Sequence, residues 1–244
     1  MYFGFDPVWL FIMIASVALG AITRGYINST YRKWSQVQLR NGMTGAQVAE
    51  RVLASNQLAG TQLTGVSVKG SGVRIQPVGG KLTDNYDPRD KTLNLSEGVY
   101  ASSSVAAAGV AAHEAGHAIQ DAQGYVWGKI RGVLVPAASF GSSAAWVLIL
   151  VGVLMGAASG LGHSVIVLGI AFYAVAVLFQ VVTLPVEFDA SRRALESLKG
   201  VGVLDDQQLS GARQVLTAAA LTYVAAALIA MMQLLYLLGI GRRD

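Results

Sequence analysis

Residues 113–117 read His113-Glu114-Ala115-Gly116-His117. Two histidines four apart lie on one face of a helix and can turn their imidazoles toward one metal ion. The carboxylate between them is placed to take a proton from an attacking water. The run just before, Ser104-Val-Ala-Ala-Ala-Gly-Val-Ala-Ala112, has a helical composition. The chain has only 3 His, so a pair at this spacing around a Glu is a specific signal. It predicts a zinc hydrolase, and a peptidase first among these. The plainer alternative is two core histidines on an alanine-rich helix.

Two histidines do not complete a catalytic zinc site, which takes three protein ligands. There is no Cys, so the third ligand must be His or a carboxylate. His163 falls in a loop expected on the opposite side of a membrane and is read as an interfacial residue. Glu187 is the best candidate. It lies in Pro185-Val-Glu-Phe-Asp-Ala-Ser-Arg-Arg-Ala-Leu-Glu-Ser-Leu-Lys199, with Gly200 beyond. Pro near the start and Gly past the end predict a helix whose first turn carries Glu187. The alternative role for Glu187 is to satisfy the helix dipole. Asp189 points elsewhere on such a helix, and Glu196 lies more than two turns away. Asp84, Asp87 and Asp90 are explained by turn chemistry.

These residues need elements to hold them. Of 244 residues, 53% are hydrophobic and 13% charged, about half the charge of an average soluble domain. Four stretches, about residues 7–22, 133–155, 165–184 and 215–240, are long enough to span a bilayer. Asp6 and the absence of basic residues before the first span argue for an uncleaved anchor rather than a signal peptide. Segments 23–131 and 185–213 are rich in Lys and Arg and fall on one side, which should be the cytoplasm. The connection 156–164 has neither, as expected outside. Arg242 and Arg243 run against this topology. The net charge of +4 fits membrane orientation, with no basic stripe for nucleic acid.

Within the first polar segment, residues 44–55 form an amphipathic pattern with Val48, Ala49, Val52 and Leu53 on one face. Thr44 and Gln47 have capping-box spacing. Alternating runs at 65–69, 73–78 and 91–96 suggest a small sheet, and residues 84–90 a turn-rich loop. Leu93, Asn94 and Leu95 precede the metal helix, where an open strand edge can bind an extended substrate. Candidates for an oxyanion donor are Arg192, Arg193, Tyr223 and Asn85.

Several blocks in this order resemble the YugP-type zinc-dependent membrane peptidases of bacteria. They are Gly80-Lys-Leu-Thr-Asp-Asn-Tyr-Asp-Pro-Arg89, Leu93-Asn-Leu-Ser96, residues 110–120 and residues 184–194. The resemblance covers nearly the whole chain. More distantly, the chain is similar to the HtpX and CAAX prenyl endopeptidases. The resemblance implies that His113, His117 and Glu187 bind Zn2+ and that Glu114 is the general base. The distant relatives carry an Asp four residues after the ligand Glu, as a partner for a zinc-bound His. Here that position is Ser191, a weaker acceptor, and Asp121 or Asp189 are further candidates for the role.

The fold expected is a predominantly α membrane protein with a small α+β zincin-like cytoplasmic part. The divisions are an anchor (1–26), a cytoplasmic region with the motif (27–130) and two transmembrane helices (131–184). A cytoplasmic helix with the third ligand (185–212) and a last transmembrane helix (213–244) follow. The function expected is a membrane-embedded zinc endopeptidase of the bacterial inner membrane, acting at the cytoplasmic face on polypeptide or membrane-protein substrates. Two other readings are a non-catalytic scaffold with structural zinc, which has no need of Glu114, and a transporter, which the near absence of ionisable groups in the spans disfavours.

Overall fold

Ser104 starts the helix that carries the motif. Its backbone is extended and its hydroxyl accepts from the Ala107 N–H at 3.2 Å, an N-cap that launches α4 (Val105–Ala122). In this computed structural model, residues 6–58 and 72–240 are described. Before α4 come α1 (Pro7–Ser35), α2 (Gly45–Ser55), β1 (Arg74–Val78), β2 (Asn85–Asp87), β3 (Thr92–Ser96) and α3 (Glu97–Tyr100). After it come α5 (Val126–Leu154), α6 (Gly160–Gly200) and α7 (Asp206–Ile240). Among the described residues the chain is mostly helical, with one small three-stranded sheet.

Two compact units emerge. One comprises residues 25–128 and 186–220. Its core sets Val48, Val52 and Leu53 of α2, Leu93 and Leu95 of β3, and Ala107, Ala111 and Ala115 of α4 among fully or almost fully buried residues. Burying each large aliphatic side chain is worth about 1.5–3 kcal/mol. The alanines matter for a different reason, since small side chains let neighbouring elements approach α4 closely. The Thr44–Gln47 capping box is present in both directions, at 3.3 Å and 2.9 Å.

The sheet has the order β1-β3-β2, with β1 parallel and β2 antiparallel to β3. This corrects two expectations. Residues 84–90 are not wholly a loop, because Asn85–Asp87 pair with Thr92–Asn94. And β3 offers no open edge to a substrate. Leu93, Asn94 and Leu95 sit in the central strand, with Ile75, Gln76 and Pro77 opposite on one side and Tyr86 and Asn85 on the other. Leu93 and Leu95 are also fully buried. The run 65–69 lies outside the described residues.

The other unit comprises residues 1–24, 129–185 and 221–244. Ala145, Ile149, Ile166, Ile170, Tyr173 and Val177 form its core. Large apolar side chains such as Phe140, Leu154 and Leu161 face outward, as lipid contact requires. Helices α1, α5, α6 and α7 are long and apolar enough to cross a membrane. They run past the apolar windows read from the sequence, because those windows measure hydrocarbon thickness and not where the backbone stops being helical. For the same reason His163 lies on α6 rather than in a loop. Pro185 also departs from expectation. It stands inside α6 instead of starting a new helix. A proline there forfeits one backbone hydrogen bond, to the carbonyl four residues earlier, and a long packed helix can absorb that loss. Glu187 is therefore far along α6, not in a first turn.

Candidate metal centre

Helices α4 and α6 bring three ligand atoms together. The Nε2 atom of His113 is 3.2 Å from Glu187 Oε2, and that of His117 is 3.6 Å from the same oxygen. The two imidazoles meet edge to face, with centroids 4.8 Å apart. Suitable donor atoms of His113, His117 and Glu187 all lie within 4.8 Å of one another. Glu187 is 2% exposed. A buried carboxylate needs charge-compensating partners, and two imidazole nitrogens converging on it leave the donor set a cation would complete. Two His and one Glu form a known catalytic zinc set, so these residues fit that metal. His163 lies in the other unit and is not part of the group.

The close approach of the helices is a property of Gly116. Backbone atoms of Ala190 occupy the space a Cβ there would take. The motif thus carries its own packing contact one residue before its second histidine.

Glu114 is buried on α4, beside the histidines. Burial opposes charge on His117, but its bond to Glu187, the nearby Glu114 carboxylate, the charge of Glu187 and a bond to Gln120 outweigh it and raise the pKa. Both carboxylates therefore favour positive charge at His117.

Each histidine has a partner on its other nitrogen. Ser191 Oγ is 3.1 Å from His113 Nδ1. Gln120 Oε1 is 3.0 Å from His117 Nδ1. Sequence reasoning missed Gln120, although it follows His117 by three residues on the same helix face. Asp189 does not meet an imidazole directly. It accepts from Gln120 Nε2 at 3.0 Å and pairs with Arg192 and Arg193. Asp121 accepts instead from Tyr86 at 2.7 Å and from Lys91 at 2.5 Å, which ties the sheet to the end of α4.

The oxyanion candidates are placed as follows. Arg192 is also bound by Glu196 at 2.8 Å, and Arg193 by Gln123 at 2.5 Å. Both line a cavity of about 410 Å³ together with Ser55, Asn56 and Ser197. Asn85 bonds the Thr83 carbonyl at 2.9 Å and accepts from Asn94 at 3.0 Å. Tyr223 lies half-buried on α7, in the unit that does not hold the metal group.

Comparison with known proteins agrees with this chemistry. Residues 9–242 match the family described as "Putative neutral zinc metallopeptidase". The chain is 39% identical over 228 residues to "Putative membrane protease YugP" of Bacillus subtilis (strain 168), covering 93% of this chain and 94% of the relative. No solved structure matches.

Proposed function

The chain belongs to the neutral zinc metallopeptidase family, and on that premise we propose that it is a membrane-embedded zinc endopeptidase acting at the cytoplasmic face. The convergence of His113 and His117 on the buried Glu187 carries this reading. These three side chains would hold the metal. A bound zinc ion would supply Lewis-acid activation of water and of the scissile carbonyl.

The protein's own residues do the rest. Glu114 takes the proton of the attacking water and delivers it to the leaving amine. Gln120 and Ser191 hold the two imidazoles from behind. Burial around Glu187 keeps bulk water from competing for the ligands. The Lys- and Arg-rich segments that carry the site support the cytoplasmic orientation. Membrane proteins, or flexible polypeptides near the membrane, are the substrates such a placement would reach.

The test is casein hydrolysis by the purified chain before and after zinc is stripped by a chelator and restored. Cleavage lost on stripping and recovered with one equivalent of zinc supports the proposal. A fully zinc-loaded chain that cleaves no polypeptide favours the scaffold reading.

A further inference from the structure

Gln120 is 3% exposed, deep in the packing between α4 and α6. Its amide touches three groups. Nε2 is 2.8 Å from the Val186 carbonyl and 3.0 Å from Asp189 Oδ2, and Oε1 is 3.0 Å from His117 Nδ1. A carbonyl and an ionised carboxylate can only accept hydrogen bonds. The NH2 end of Gln120 must therefore face α6, whichever way an amide of this shape is first drawn. That leaves Oε1 for His117. An amide oxygen only accepts, so Nδ1 of His117 must carry a proton. Nε2, the nitrogen nearest Glu187 Oε2, is then the ring atom left to bind a metal.

We propose that Gln120 is a positioning residue that fixes the tautomer and orientation of His117, and that Asp189 acts on the site through it. Asp189 is itself clamped by Arg192 and Arg193, both about one turn further along α6. The chain of contacts thus runs from an arginine pair through a carboxylate and a buried amide to the imidazole. His113 has no such constraint, because the Ser191 hydroxyl can donate or accept. The two histidines are therefore held differently, His117 rigidly and His113 by an adaptable partner. At buried Gln120 the low local dielectric strengthens each bond.

The affinity part of this proposal rests on the zinc reading above, while the tautomer part is read directly from the ring. With only 3 His in the chain, 15N-histidine labelling gives a spectrum that single substitutions can assign. In the zinc-loaded wild type, His117 should carry its proton on Nδ1 and its metal on Nε2. Gln120→Leu should weaken zinc binding about 10–100-fold, the usual effect of losing such a partner, and free the His117 ring to adopt a second state. Asp189→Asn leaves the Gln120 amide on the Val186 carbonyl and its oxygen on His117, and should weaken zinc binding by less than Gln120→Leu. A wild-type His117 protonated on Nε2 overturns the proposal, as does unchanged zinc affinity in Gln120→Leu. Should Gln120→Leu not fold, Gln120→Asn, too short to reach the ring, is measured in its place. Peptidase activity is not read, so a zinc-loaded chain that cleaves nothing leaves this test intact.

Discussion

A methyl group built on Gly116 would stand 2.5 Å from the carbonyl oxygen of Ala190. Real Cβ atoms do not come so close to a backbone oxygen, so α4 and α6 approach as they do because residue 116 has no side chain. Glu187, the proposed third ligand, is three residues before Ala190, on the same helix. Gly116→Ala improves intrinsic helix propensity by about 1 kcal/mol, yet it should cost about 1–3 kcal/mol in overpacking. We expect zinc affinity to fall about tenfold or more, because the helices carrying the ligands must separate. Chelator competition on the purified variant measures this, and unchanged affinity would mean that the helices can shift without moving the ligands.

Glu187→Ala removes the buried carboxylate on which both imidazoles converge. The two histidines alone do not make a closed site. Zinc should be lost at low free metal, and zinc content after dialysis reads the result. Full retention would contradict Glu187 as a ligand.

Ser191→Ala removes the hydroxyl 3.1 Å from His113 Nδ1. One neutral hydrogen bond contributes about 0.5–1.5 kcal/mol, so zinc binding should weaken by roughly tenfold or less. A loss as large as that of Glu187→Ala would make Ser191 more than a support for the ring.

Tyr86 offers a pH test away from the metal. Burial first, and then its bond to Asp121, raise its pKa well above the ordinary value of 10.0. A folded-state pKa above the unfolded one gives stability that is present below pH 10 and is lost as pH rises past it. Tyr86→Phe should therefore cost about 1 kcal/mol at pH 8, and the gap from wild type should close above pH 10. Lys91 binds the same carboxylate, so the comparison is made in Lys91→Met as well. A gap that is constant with pH would contradict the Tyr86–Asp121 coupling.

The motif was legible because its chemistry is local. Four residues bring His113 and His117 onto one face whatever surrounds them. Glu187 emerged by excluding other ligand types and by family resemblance. What the sequence concealed depends on distant partners. Gln120 reads as an ordinary polar residue at the end of a helix, and its role appears only when Val186 and Asp189 arrive on α6. Strand β2 was hidden because Asn85 and Asp87 have low β propensity, and pairing with β3 overrides that. Pro185 looked like a helix start because local signals cannot show that packing carries the helix through it.

Orientation is open to direct test because the chain has no Cys. A single cysteine at exposed Gly98, in the unit holding the metal group, should resist a membrane-impermeant maleimide in intact cells. One at exposed Ala158, in the connection that lacks basic residues, should be labelled. The reverse pattern would place the site outside.

The central claim is tested most directly by purifying wild type and Glu114→Gln side by side and measuring zinc content and casein cleavage on the same samples. We expect equal zinc in both and cleavage only in the wild type, since Glu114 is proposed to move the proton and not to hold the metal. Cleavage by Glu114→Gln at the wild-type rate would contradict the account.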